Sequence, residues 1–80
     1  MKITIEKKER VEIEVQLPAY RKSNNHFYMI AENKTICVFN PSDNIYSIEV
    51  NDYMMKFPFD YDECSKELFE EMYNQVKSKL

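Results

Sequence analysis

Eighty residues hold 44% apolar and 31% charged side chains. That is a globular composition, too apolar for a disordered chain, and the length allows one small domain over 1–80 and not two cores. The net charge of −3 works against general affinity for DNA or RNA phosphates, and no run of 18 apolar residues offers a membrane span.

The first seventeen residues alternate. Ile3, Ile5, Val11, Ile13, Val15 and Leu17 occupy odd positions, and every even position from Lys2 to Gln16 is polar. Period two predicts strand with one buried face. It is either one long strand or a hairpin closing near residues 7–9, with Ile5 opposite Val11 and Ile3 opposite Ile13. Pro18 has no N–H for a ladder and ends the strand.

Residues 19–25 (AYRKSNN) read as a loop, and residues 26–39 (HFYMIAENKTICVF) as a hairpin turning at Asn33-Lys34. The chain contains no glycine, so a turn that needs φ > 0 falls to asparagine, which tolerates it next best. With a two-residue loop there, Tyr28 lies opposite Phe39. One hairpin face then carries Phe27, Met29, Ala31, Ile36 and Val38. The other carries Tyr28, Ile30, Glu32, Thr35, Cys37 and Phe39. Both faces are apolar.

Residues 40–44 (NPSDN) predict a turn, with Pro41 suited to its second position. Residues 45–50 (IYSIEV) predict a strand with Tyr46, Ile48 and Val50 on one side. Residues 52–59 read as irregular or as a short edge strand cut by Pro58. From about residue 60 the period becomes helical. Cys64, Leu68, Phe69, Met72, Val76 and Leu80 form an apolar stripe, and Asp60 with Glu63 three positions later fits an acidic capping box. The fold class is therefore α+β: an antiparallel sheet of four to five strands with one C-terminal helix packed on one face. The helix is expected over Ile13, Val15, Met29, Ile36 and Val38.

No reaction motif emerges. His26 is the single histidine and Cys37 and Cys64 lie far apart in sequence, so no metal-ligand spacing is present. A Cys–His nucleophile needs the base within about 3 Å of the thiol. In the expected register His26 is four residues from the partner of Cys37, roughly 13 Å away. There is no glycine-rich phosphate loop, and the carboxylates lie on strands and an exposed helix face, where no cleft separates their pKa values. The chain is read as no enzyme, with no cofactor and no metal.

The partner reading rests on surplus apolar surface. The face bearing Tyr28, Ile30, Cys37 and Phe39 has no second helix to cover it, and burying about 300 Å² of it is worth roughly 7 kcal/mol before association costs. The expectation is a non-enzymatic interaction protein that binds a partner protein or a second copy through those residues. If the 20–25 loop, Tyr53 and Met54 fold over that face, the surface disappears. One alternative uses the acidic stretch, in which residues 43–71 hold nine acids against Lys56 and Lys66; Glu67, Glu70 and Glu71 would occupy a basic groove as an inhibitor does. The other is a nucleic-acid-binding accessory protein using Lys7, Lys8, Arg10, Arg21, Lys22 and His26. Against it stand the interleaved Glu6, Glu9, Glu12 and Glu14, which read more simply as a cross-strand charge ladder. Two cysteines make no disulfide framework, and no apolar leader follows Met1, so cytoplasmic residence with reduced thiols is expected.

Overall fold

The computed structural model describes residues 2–6, 10–42 and 44–80. The N-terminal alternation forms β1 (Lys2–Glu6) and β2 (Arg10–Glu14). They are antiparallel in the expected register, Ile3 opposite Ile13 and Ile5 opposite Val11. The turn at 7–9 and the side chain of Ile13 lie outside the described residues. This pair is a two-stranded sheet of its own.

The main sheet holds β3 (Ala19–Ser23), β4 (His26–Ala31), β5 (Lys34–Ser42), β6 (Ile45–Asn51) and the two-residue β7 (Asp62–Glu63). All neighbours are antiparallel, in the order β6-β5-β4-β3-β7. A single C-terminal helix, α1 (Lys66–Lys79), packs across β4, β5 and β6. The architecture is α+β with an antiparallel sheet.

Residues 19–23 are a strand and not the expected loop. Ala19 and Arg21 point inward while Lys22 is exposed, so a guanidinium at an inward position hides the two-residue period. The chain then reverses at Asn24, whose φ of 51° lies in the left-handed region that asparagine enters more readily than bulkier residues. The next hairpin turns at Glu32-Asn33, with Ala31 opposite Lys34 and Tyr28 opposite Cys37. Tyr28 therefore does not face Phe39, which lies opposite His26. The slip from the expected turn moves the pairing by two positions, an even number, so every side chain keeps its expected face. β5 also runs on through Asn40 and Pro41, where the turn was expected, and a bulge between Phe39 and Ser42 lets the strand carry a residue without an N–H.

The helix starts later than expected because Asp62 and Glu63 are drawn out as β7 against Lys22 and Arg21. Asp60 instead ends a 3-10 turn at Phe57–Asp60. The N-cap is Ser65, whose Oγ accepts the Leu68 N–H at 3.0 Å, the usual satisfaction of a free first-turn donor.

Two apolar layers flank the sheet. On the helix side Val38, Phe69 and Val76 are buried among Phe27, Met29, Ile36, Ile48, Met72 and Tyr73. On the other side Val15, Ala19, Tyr28, Ile30, Cys37 and Phe59 are buried with Leu17, Met54 and Tyr61. Val15 therefore packs on the face opposite to the one expected, because β2 belongs to a separate hairpin and leads into β3 from that side. Leu80, expected on the helix stripe, is exposed.

Candidate functional site

The strand registers lay out three cross-strand rows on the face away from α1. They run Ala19–Ile30–Thr35–Asn51, Arg21–Tyr28–Cys37–Glu49 and Ser23–His26–Phe39–Ser47. Residues 52–61 cross this face as a strap. Thr35, fully buried, ties it down: its Oγ1 accepts the Met55 N–H at 2.8 Å, and its hydroxyl donates to the Tyr53 carbonyl at 2.9 Å. Beyond that clamp, Phe57 meets Tyr28 edge-on at 6.1 Å between ring centroids, and Tyr61 lies 5.7 Å from Tyr28. Phe59 is buried beneath the guanidinium of Arg21, 5.7 Å above its ring.

The strap overturns the expected docking face. Ile30 is 0% exposed, Tyr28 6% and Cys37 8%, so these three side chains are core. Phe39 is half-buried in the uncovered third row and stacks on His26 at 4.4 Å. What the sequence grouped as one surface is thus divided between a sealed interior and a two-ring remnant.

Burial also sets the chemistry of the titratable groups there. It pushes the Tyr28 phenol well above its ordinary value, with the neighbouring Cys37 adding to the effect. Burial likewise raises the Cys37 thiol, opposed in part by a hydrogen bond from Tyr28. Cys64 is raised by burial against the pull of Lys22 and Arg21. Thiols held in the protonated form are poor nucleophiles and poor metal ligands. Among the described residues, no three His, Cys, Asp or Glu side chains converge on a metal-sized site.

Arg21 lies at the rim of an open cleft of about 300 Å³, bordered also by Glu14, Pro18, Glu63 and Cys64. Its Nη1 donates to the Tyr20 carbonyl at 2.9 Å, and its Nη2 lies 3.7 Å from Glu63. Its Nε is buried with no hydrogen-bond partner. The charge is spent on the fold, so Arg21 drops out of the basic surface expected for nucleic acid. Lys22 is exposed, His26 is half-buried in its stack, and Lys7, Lys8 and the Arg10 side chain lie outside the described residues. Glu67, Glu70 and Glu71 are exposed along α1. Lys66 sits 3.8 Å from Glu70, and Gln75 contacts Glu71 at 3.5 Å, the pattern of a solvated helix face.

The surface left unspent is the sheet's outer strand. Among the described residues β6 pairs with β5 alone, and no described strand lies along its other side. Its seven residues, IYSIEVN, include no lysine, arginine or proline, and Glu49 is the single charge. Ile45 and Val50 are 58% and 57% exposed. The opposite edge is treated differently, since β7 caps β3 and Glu63 approaches Arg21 across it. Natural edges are commonly blunted by charge, proline or a short covering strand; one edge of this sheet has that protection and the other lacks it. Sequence reading placed the strand at 45–50 and missed its role. The signal is topological, since β6 ends the strand order among the described residues, and strand order is not written in local periodicity.

Comparison with protein-family models, with curated proteins and with solved structures finds no match.

Proposed function

We propose that the protein is a non-enzymatic interaction module that takes up an extended strand along β6. The observation that supports it is the asymmetry of the sheet, one edge capped by β7 and the other open over seven residues with Ile45 and Val50 exposed. Strand addition satisfies the unpaired backbone groups of such an edge, and the alternating side chains give it selectivity. The raised thiols of buried Cys37 and half-buried Cys64, and the charge of Arg21 turned to Glu63, favour this reading over catalysis. Cysteines that are both free suit a reducing compartment, the cytoplasm. Among the described residues no helix is long and apolar enough to cross a membrane.

Capture from the source cell tests the reading. Tagged wild-type protein retains a specific protein, its own untagged copies included, and the double variant Ile45→Lys, Val50→Lys loses it, because lysines blunt an edge without touching the core. Equal capture by both would place the contact elsewhere.

A further inference from the structure

The side chains of β6 decide which strand fits it best. Tyr46, Ile48 and Val50 face α1, since Val50 lies opposite Ile36 and Ile48 opposite Val38. Ser47 and Glu49 face the other way, opposite Phe39 and Cys37. An antiparallel neighbour related by a two-fold axis normal to the sheet keeps α1 on the same face in both copies, so residues of equal parity must meet. Three such registers pair at least five residues of β6. Centring on Ser47 or on Glu49 pairs five of the seven residues, and the second places two glutamates directly opposite each other, which is unfavourable. Centring on Ile48 pairs all seven. It sets Ile48 against its own copy, the exposed Val50 against Tyr46, and Ser47 against Glu49. No like charges then meet.

We propose that the occupant of the β6 edge is a second copy of this chain, paired antiparallel about Ile48. This deepens the edge-pairing reading above and rests on it. The two sheets become one of ten strands with both helices on one face. Val50 of each copy packs against the Tyr46 ring of the other, a ring that carries the Lys79 ammonium at 5.6 Å and whose hydroxyl donates to the Lys79 carbonyl at 2.8 Å. The seam is one strand long, about 24 Å, and falls at the small end of specific interfaces. The dimer is accordingly weak, and its formation follows protein concentration.

Light scattering on the purified full chain tests this from about 10 μM to about 1 mM, a range suited to a small interface. The wild-type mass is expected to double across it. Ser47→Glu adds an acid opposite each Glu49 and should raise Kd at least about tenfold, whereas Ser47→Lys supplies an opposite charge there and should lower Kd about threefold to tenfold. Circular dichroism checks that both variants fold. Independently, in a Cys64→Ser background oxidised glutathione should join Ile48→Cys copies through a disulfide. It should not join Val50→Cys copies, whose thiols would lie about 13 Å apart. A wild-type protein that stays monomeric yet captures a partner lost with the β6 lysines would remove the second copy and leave the edge reading standing. A dimer indifferent to every β6 substitution would remove both.

Discussion

Thr35 is a hydroxyl at a position with no exposure, and it acts as the fastening of the strap. Replacing it with valine keeps the shape but leaves the Met55 N–H and the Tyr53 carbonyl without their partner. Losing such buried bonds costs about 1–3 kcal/mol. Thr35→Val should lower the urea midpoint accordingly and speed proteolysis within residues 52–56; an unchanged midpoint and cleavage pattern would contradict the clamp. Tyr28 and Cys37 carry a pH signature. In the unfolded chain they ionise near 10 and 9, and burial holds both higher in the fold. Above those ordinary values the native state keeps protons that the unfolded chain has released. Stability is therefore full below about pH 9 and falls as the pH rises, by about 1.4 kcal/mol per pH unit for each group within its window. Cys64, also raised, adds to the decline. Urea unfolding across the alkaline range should show the fall, and Tyr28→Phe should flatten its upper part. For Arg21, buried and facing an ion-pair partner that is 84% exposed at the side chain, the pair itself stabilises little. Arg21→Met, which keeps the stem over Phe59, should change stability by less than about 1 kcal/mol, while Arg21→Ala should cost about 2 kcal/mol or more through lost packing. Chemical denaturation of the two variants separates packing from charge.

Elements were legible where one physical signal dominated. The unbroken alternation of residues 2–16 gave strand, left one long strand or a hairpin open, and for the hairpin gave the register that is found, while the alternation of 45–50 gave β6. The central hairpin was misplaced by two residues, yet its faces survived because parity, not register, decides them. β3 was illegible because Arg21 occupies an inward position, where a charge reads as loop. The helix start was misjudged for a related reason. Asp60 and Glu63 have capping chemistry, but Asp62 and Glu63 are stretched along β3, and tertiary pairing overrides local preference. Ser65→Ala should then cost about 1 kcal/mol of helix stability, seen as a lowered urea midpoint, and a change at Asp60 should leave the Leu68 amide bond intact. A larger loss at Asp60 than at Ser65 would overturn that assignment. The strap could not be read at all. Its residues follow no period, and its place over the sheet depends on the Thr35 hydroxyl, the Tyr28 ring and the Arg21 guanidinium, all far away in sequence.

At the scale of the molecule, a sheet with two apolar faces needs two covers. α1 supplies one, and the strap with the end of the first hairpin covers most of the other, so the surplus that composition implies is absorbed within the chain apart from the stacked pair of His26 and Phe39. What α1 and the strap leave uncovered, among the described residues, is the lateral edge of β6. The charge segregation seen in sequence persists as the exposed acids of α1, yet that helix face is solvated and partly paired. Contact at β6, with the second face sealed, is the central claim, and amide hydrogen exchange at rising protein concentration reads it most directly. The outward-facing amides among residues 45–51 should gain protection as concentration increases, while those of Tyr28, Cys37 and the strap at 52–61 exchange at unchanged rates. Protection that grows over the strap while β6 stays unaltered would contradict the account.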